Sequence, residues 1–242
     1  MIPPTFDARV TAARTLSPSV RGLTLERADG APFDFEPGQW VSLLIDTEEG
    51  EVRRAYSVAS APRPDATFDL AVTRVESGVA SRVLHALDVG DVVRVIGPQG
   101  FFTRPTMGGP PSLLVGTGTG VAPLRSMLQA TSGSPASEPV WLLFGGREEH
   151  DLLYRDELEA LVAGSPRLRV IQTLSRGSAG WTGRRGYVQV HARELYDELR
   201  AAASAPPHVY ICGLERMVGA VRALFRQDVG LPRQLVHSER YD

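Results

Sequence analysis

Two stretches of this 242-residue chain combine residue types and spacings that could do chemistry. The first is Gly116-Thr117-Gly118-Thr119-Gly120-Val121-Ala122-Pro123, which follows a compact apolar run and precedes a helical pattern. At such a strand-to-helix turn, free backbone N–H groups and the helix dipole favour an anion. Glycines let the backbone approach a phosphate without a Cβ in the way. A proline early in the helix removes no needed donor. The spacing is not the dinucleotide fingerprint G-x-G-x-x-G, whose third glycine would fall at Val121 and here sits at Gly120. On this loop alone, phosphate binding and a purely structural turn both stand.

The second stretch is Arg54-Ala55-Tyr56-Ser57, inside a strand-like run. Arg54 and Tyr56 lie two apart and so face one side. A guanidinium beside an aromatic plane suits a ligand that joins an anionic part to a flat ring. An amphipathic strand with a surface arginine is the plain alternative. Ser57 faces the other way unless the strand ends there. Further on, Gly78-Val79-Ala80-Ser81 opens a helix and offers a second phosphate site, expected to be capped by a hydroxyl.

Other chemistries find little support. Lys plus Arg is 26 against 28 Asp plus Glu, a formal net charge of −2, which argues against general nucleic-acid binding. One cysteine, Cys212, can neither close an intramolecular disulfide nor supply the ligands of an iron–sulfur cluster. His85, His150, His191, His208 and His237 show no metal-ligand spacing, so no metal site is expected. No serine has a nucleophile-elbow context. Met1 precedes neither a basic start nor an apolar signal region, and no run approaches the roughly 18 apolar residues of a membrane span. The chain is expected to be soluble and cytoplasmic.

The elements that must position these residues fall into two kinds. Runs at 10–16, 20–27, 40–46, 51–59, 67–75 and 92–96 are rich in Val, Thr, Leu and aromatics and are separated by turn clusters. Short strands at this spacing predict an antiparallel barrel or sandwich. One helix interrupts them, with Val83, Leu84 and Leu87 on one face. The segment 104–111 holds two glycines and three prolines and is expected to be a linker. Beyond it, strands at 112–115, 140–144, 168–174, 209–212 and 234–237 alternate with helical patterns through 128 and at 152–163, 191–202 and 215–227. That alternation predicts crossover units and a mostly parallel sheet. The expected plan is therefore a barrel domain over 1–103, the linker, and an α/β domain over 112–242.

These elements, in this order, resemble the ferredoxin–NADP⁺ reductase family, an FAD-holding Greek-key barrel followed by an α/β domain that holds a pyridine nucleotide. The resemblance implies that Arg54 contacts the flavin pyrophosphate, Tyr56 packs on the flavin ring with Ala55 beside it, and Ser57 bonds near flavin N5. Val72, Thr73 and Arg74 match the next ligand-lining strand. Gly78, Val79, Ala80 and Ser81 match the helix start under the pyrophosphate, which implies FAD rather than FMN. Gly116, Thr117, Gly118, Thr119, Gly120 and Pro123 match the nucleotide pyrophosphate loop. Gly146 and Arg147 match a strand end near the ribose, and Cys212 and Gly213 a segment against the nicotinamide.

Ser175, Arg176, Arg185, Tyr187 and Gln189 resemble the site for the adenosine 2′-phosphate, which favours NADP over NAD. An acid for a bare ribose is not evident at a strand end, although Glu138 lies downstream of the loop. His237-Ser238-Glu239-Arg240-Tyr241-Asp242 resembles the family ending in which a carboxylate precedes an aromatic that covers the flavin, with one extra residue here. Ser57, Cys212 and Glu239 are the implied catalytic residues, Glu239 as proton carrier or as a brace for the other two.

The implied activity is that of an FAD-dependent NADPH oxidoreductase, expected to be a monomer. It would pass single electrons to a separate carrier such as ferredoxin or flavodoxin, steered by a basic patch among Arg53, Arg54, Arg63, Arg74 and Arg82. The alternatives are an NADH-dependent reductase component of an oxygenase system, a subunit that works only within a larger complex, and a non-catalytic nucleotide-binding module.

Overall fold

The computed structural model describes residues 3–48, 50–132 and 138–241. Six strands, β1 (Thr5–Ser17), β2 (Val20–Arg27), β3 (Trp40–Thr47), β4 (Gly50–Ser57), β5 (Thr67–Thr73) and β6 (Val92–Gln99), form an antiparallel sheet in the order β4-β3-β6-β1-β2-β5. Alternation turns Val41, Leu43 and Ile45 inward, where they meet Leu23, Leu25, Phe68 and Leu70. Phe6, Phe33, Phe35 and Phe68 stack against one another in the same core, with ring centroids 4.5–6.5 Å apart. The outer strands meet just past the end of β4. There Val58 bridges Leu70, and the Ala59 N–H donates to the Asp69 carbonyl at 2.8 Å. The sheet thus curls into a barrel.

Helix α1 (Val79–Ala86) lies on this barrel, with Leu84 buried and Val83 and Leu87 packed on the core. Arg21 donates to the carbonyls of His85 and Leu87 at the helix end, and the His85 ring bonds the Val72 carbonyl at 2.9 Å. These contacts pin the C-terminal end of the helix to β2 and β5.

The second sheet contains β7 (Ser112–Thr117), β8 (Val140–Gly146), β9 (Leu168–Leu174), β10 (Arg184–Arg185), β11 (His208–Leu214) and β12 (Val236–Tyr241), in the order β10-β9-β8-β7-β11-β12 with every ladder parallel. Leu114, Leu142, Phe144, Tyr210 and Cys212 face helices α2 (Val121–Ser132) and α3 (Arg155–Ala163) and the barrel. Leu113, Val115, Leu143, Val209 and Ile211 face α4 (Val188–Ala202) and α5 (Glu215–Ala223). Strand order reverses between β7 and β11, so the carboxyl ends of those two strands flank the crevice where open α/β sheets bind ligands.

Several expected boundaries shift. Helix 152–163 starts only at Arg155, because the buried Tyr154 takes a left-handed conformation (φ 59°) and breaks the run. Helix 191–202 starts three residues earlier. Helix 215–227 ends at Ala223 and continues as a wider turn over Leu224–Asp228. The last strand runs from Val236 to Tyr241 rather than 234–237, because pairing with β11 extends it. The pairing of β10 with β9 had no sequence signal, being two arginines long.

Arg104, at the segment between the sheets, is 2% exposed. Its guanidinium donates to Ser112 Oγ (2.9 Å), Thr131 Oγ1 (2.8 Å) and the carbonyls of Pro105 (3.2 Å) and Pro110 (2.8 Å). Among the described residues, no helix is long and apolar enough to cross a membrane, and no three His, Cys, Asp or Glu side chains group as a metal site.

Candidate functional site

The crevice at the strand-order reversal is built from both sheets. Ser57 ends β4 and is buried, so the end of the strand frees its hydroxyl to point across the joint. There Ser57 Oγ lies 2.5 Å from the Tyr241 hydroxyl and 3.2 Å from Glu239 Oε2. Register places Glu239 opposite Cys212, and Cys212 opposite Gly116. The Tyr241 hydroxyl also bonds the Cys212 thiol. Each hydroxyl or thiol has one hydrogen to donate. Ser57 O–H donates to Glu239 Oε2, and the Tyr241 hydroxyl lies between Ser57 and the Cys212 sulfur. The four groups form a continuous relay between a barrel strand and two strands of the second sheet.

Burial raises every acid in this relay. The Glu239 carboxyl is pushed up to about 7, with the Ser57 bond acting weakly the other way. Burial also drives the Cys212 thiol up, so it stays protonated and is no nucleophile. The Tyr241 phenol is raised for the same reason. A carboxyl poised near neutrality can take up or release a proton at working pH.

The glycine loop runs along the other wall. Gly118–Gly120 makes a single tight turn, and α2 follows directly with Pro123 buried in its first turn. A Cβ on Gly120 would meet the Cys212 carbonyl oxygen at 2.3 Å, and one on Gly213 would meet Thr117 Oγ1 at 2.7 Å. Gly118 has φ +55° with nothing within 4 Å of its missing Cβ. Thr117 Oγ1 is buried with no partner. A closely packed backbone, open space beside Gly118 and an unpaired hydroxyl fit a pyrophosphate at this helix start. Thr119 Oγ1 accepts from Thr73 Oγ1 at 3.3 Å, which joins the loop to barrel strand β5.

The residues implied for the flavin lie on the barrel, from which Ser57 and Thr73 bond across to the second sheet. Arg54 and Ala55 are exposed. Tyr56 is half-buried against the barrel core, and its phenol is raised by burial to about 12. Val72 is buried, whereas Thr73 and Arg74 are exposed. Gly78 caps α1 without a side-chain bond, followed by Val79, Ala80 and Ser81. The expected hydroxyl cap is corrected. Ser81 Oγ accepts from the Val75 N–H (3.0 Å) and approaches the Gly78 and Val75 carbonyls. It braces the preceding loop and leaves the helix N–H groups without a side-chain acceptor, which suits an anion better than a filled cap. The expected basic patch is also reduced. Arg63 pairs with Asp69 at 2.6 Å, and Arg53 bonds Ser42 and Gln99, leaving Arg54, Arg74 and Arg82.

The residues implied for the 2′-phosphate divide. Arg176 and Tyr187 are exposed, and Ser175 and Gln189 are half-buried. The Ser175 and Arg176 N–H groups bond the Gly146 and Arg147 carbonyls, so the loop that carries Arg176 leans on the β8 end. Arg185 instead donates to the carbonyls of Gly177 (2.9 Å), Ser178 (2.7 Å) and Trp181 (3.0 Å). Its guanidinium shapes the loop, so of the two arginines the resemblance implies for the 2′-phosphate, Arg185 is already committed to protein carbonyls. Glu138 precedes β8, at the opposite end of the sheet from Gly146, and accepts from Ser204. It takes no part at the ligand edge. The sequence reading missed Arg125, whose place within a helix of otherwise uncharged residues (Val121–Ser132) demands a buried partner.

Residues 7–103 match the oxidoreductase FAD-binding domain family, and residues 114–223 match the oxidoreductase NAD-binding domain family. The chain is 58% identical over 238 residues to the ferredoxin--NADP reductase B of Sorangium cellulosum, covering 98% of both chains. It is 33% identical to the ferredoxin--NAD(P)⁺ reductase component of the naphthalene 1,2-dioxygenase/salicylate 5-hydroxylase systems of a Ralstonia species, covering 96% of this chain and 67% of that one. Among solved structures, a cytochrome P450 reductase of Amycolatopsis superposes with a TM-score of 0.83 at 28% identity, over 98% of this chain and 70% of the other.

Proposed function

The chain belongs to the ferredoxin–NADP⁺ reductase family of flavin-dependent oxidoreductases, and from that premise we propose that it oxidises NADPH and delivers single electrons to a separate ferredoxin-like carrier. Bound FAD would supply the chemistry, accepting two electrons together and releasing them singly. The chain's own residues hold and orient. Arg54 and the start of α1 receive the flavin pyrophosphate, and Tyr56 flanks the ring. The Gly116–Gly120 backbone and Thr117 receive the nucleotide pyrophosphate. Ser57 holds a proton between the flavin face and Glu239. Arg176 selects the 2′-phosphate. The carrying observation is the Cys212–Tyr241–Ser57–Glu239 chain of contacts, which joins the barrel strand to the second sheet.

The division into a flavin module over 1–103, a linker over 104–111 and a nucleotide module over 112–242 belongs to this proposal, as do a cytoplasmic setting and a monomer. One cysteine leaves this chain without thiolates for its own iron–sulfur cluster, which supports a separate acceptor. A second reading, an NADH-using reductase of an oxygenase system, is favoured by the similarity to the Ralstonia component.

One set of measurements decides. FAD-loaded protein, run first on gel filtration, is mixed anaerobically with NADPH or NADH, then assayed with ferredoxin, flavodoxin and an oxygenase component. Flavin bleaching by NADPH with at least about tenfold higher kcat/KM than NADH, and turnover with ferredoxin, is expected; tenfold corresponds to about 1.4 kcal/mol, within reach of one charge-assisted hydrogen bond. A chain that holds no FAD, or whose flavin neither nucleotide reduces, overturns the proposal. NADH preference with oxygenase turnover selects the second reading.

A further inference from the structure

Arg125 lies in the second turn of α2, about 7.5 Å along the axis from Gly120 at the glycine loop, and is 3% exposed. Its Nη1 donates to the Ala59 carbonyl at 2.7 Å and reaches Asp69 Oδ2 at 3.3 Å. Its Nη2 donates to the Glu157 carboxylate of α3, which Arg14 of β1 also pairs. The guanidinium carbon stands 4.3 Å from the centre of the Tyr154 ring. Asp69 is itself held by Arg63 at 3.1 and 2.6 Å and by Thr24 at 2.9 Å. One turn further along α2, Gln129 Oε1 accepts the Ala61 N–H at 3.0 Å. Residues four apart share a helix face, so Arg125 and Gln129 together grip the barrel segment 59–61. That segment begins two residues past Ser57.

We propose that Arg125 is a positioning residue for hydride transfer. It fastens the helix that carries the nucleotide loop to the barrel segment that carries Ser57, and so fixes how closely the nicotinamide meets the flavin. A buried ion pair adds little net stability compared with well-packed apolar residues. What the charges supply is direction. The planar fork must meet a carbonyl and two carboxylates from two modules at once, which permits one arrangement of the joint. The left-handed backbone at Tyr154, unfavourable for an aromatic residue, places the ring beneath this fork. Small errors in approach are costly for reaction, since about 1 Å of misplacement can lose about a hundredfold in rate.

The inference rests on the NADPH–flavin reading above. Wild-type FAD-loaded protein that NADPH fails to reduce would refute that reading. Reduction by the wild type with indifference to the variants would refute only the role of Arg125. In FAD-loaded Arg125→Leu, kcat with NADPH is expected to fall about tenfold, with KM and FAD content within about twofold, because the loop and flavin contacts remain while their spacing loosens. Amide exchange at residues 59–61 rises in the same variant, with or without nucleotide. Arg125→Lys, which keeps the charge and loses the fork, falls between the two. Should the leucine variant not fold, Asp69→Asn decides, with kcat about threefold down at constant KM and faster exchange at 59–61. A kcat within about twofold of wild type in every folded variant, or a kcat loss matched by an equal rise in KM without faster exchange, overturns the proposal.

Discussion

Substituting Gly120 by alanine sets a backbone contact against the nucleotide. The added Cβ would lie 2.3 Å from the Cys212 carbonyl oxygen, 2.6 Å from its carbonyl carbon and 2.7 Å from Gly213 Cα. Ordinary contact begins near 3.4 Å, so the loop must withdraw by about 1.1 Å. The opposing atoms belong to β11, clamped between β7 and β12, so the loop is the side that moves. A displacement of about 1 Å at a reacting pair loses about a hundredfold in rate. That equals about 2.7 kcal/mol of activation free energy at 1.36 kcal/mol per decade. The assay is kcat/KM for NADPH on the FAD-loaded variant, with flavin content measured beforehand, since the barrel contacts are untouched. Gly219→Ala in α5 serves as the control. Its Cβ meets nothing within 4 Å, so stability should rise by about 1 kcal/mol with kcat/KM unchanged. A Gly120→Ala protein that keeps its FAD and retains kcat/KM within about threefold of wild type would refute the assigned loop geometry.

Glu239 makes stability depend on pH. Its folded carboxyl titrates at about 7 against an ordinary value of 4.5, so between those values the folded state holds a proton that the unfolded state has released. This group's contribution therefore declines as pH rises from 4.5 to about 7. In thermal melts, Glu239→Gln should gain Tm relative to wild type across that window, and parallel curves would exclude the shift. Arg104→Met removes a buried guanidinium that binds four acceptors and should cost about 2–4 kcal/mol, read from the denaturant midpoint. A loss below about 0.5 kcal/mol would count against its role in holding the segment between the sheets. Arg176→Ala should raise the KM for NADPH about tenfold and leave NADH nearly unchanged, whereas Arg185→Ala, by releasing three carbonyls, should impair both coenzymes alike. Equal coenzyme effects in the Arg176 variant would remove it from the 2′-phosphate site.

Local signals made much of this molecule legible. Glycines at 116, 118 and 120 before a proline announce a strand-to-helix turn, and the β-branched runs before residue 100 announce the barrel. Ser57 could be read correctly only once the strand end was known, because its direction depends on whether β4 continues. Tertiary partners were out of reach. Arg185 looked like a free cation because the carbonyls it binds converge only when 177–181 folds back on it. Ser81 resembled a cap because its position suits one, yet the Val75 N–H competes for its oxygen. The extent of β12 depends on its neighbour β11, and the start of α3 on a tyrosine backbone that no propensity favours. Arg125 carried a signal of another kind, an isolated charge in an uncharged helix, which implies a buried partner without saying where.

Cys212 is the chain's one thiol, and its surroundings keep it from reacting. Sulfur oxidation by peroxide proceeds through the thiolate, and access governs its rate. Here the thiol is fully enclosed, and burial, with the neighbouring Glu239, opposes its ionisation more than the Tyr241 bond favours it. Enclosed in this way, the sulfur at the joint between the two sheets persists as a neutral thiol that an oxidant reaches only when the joint opens.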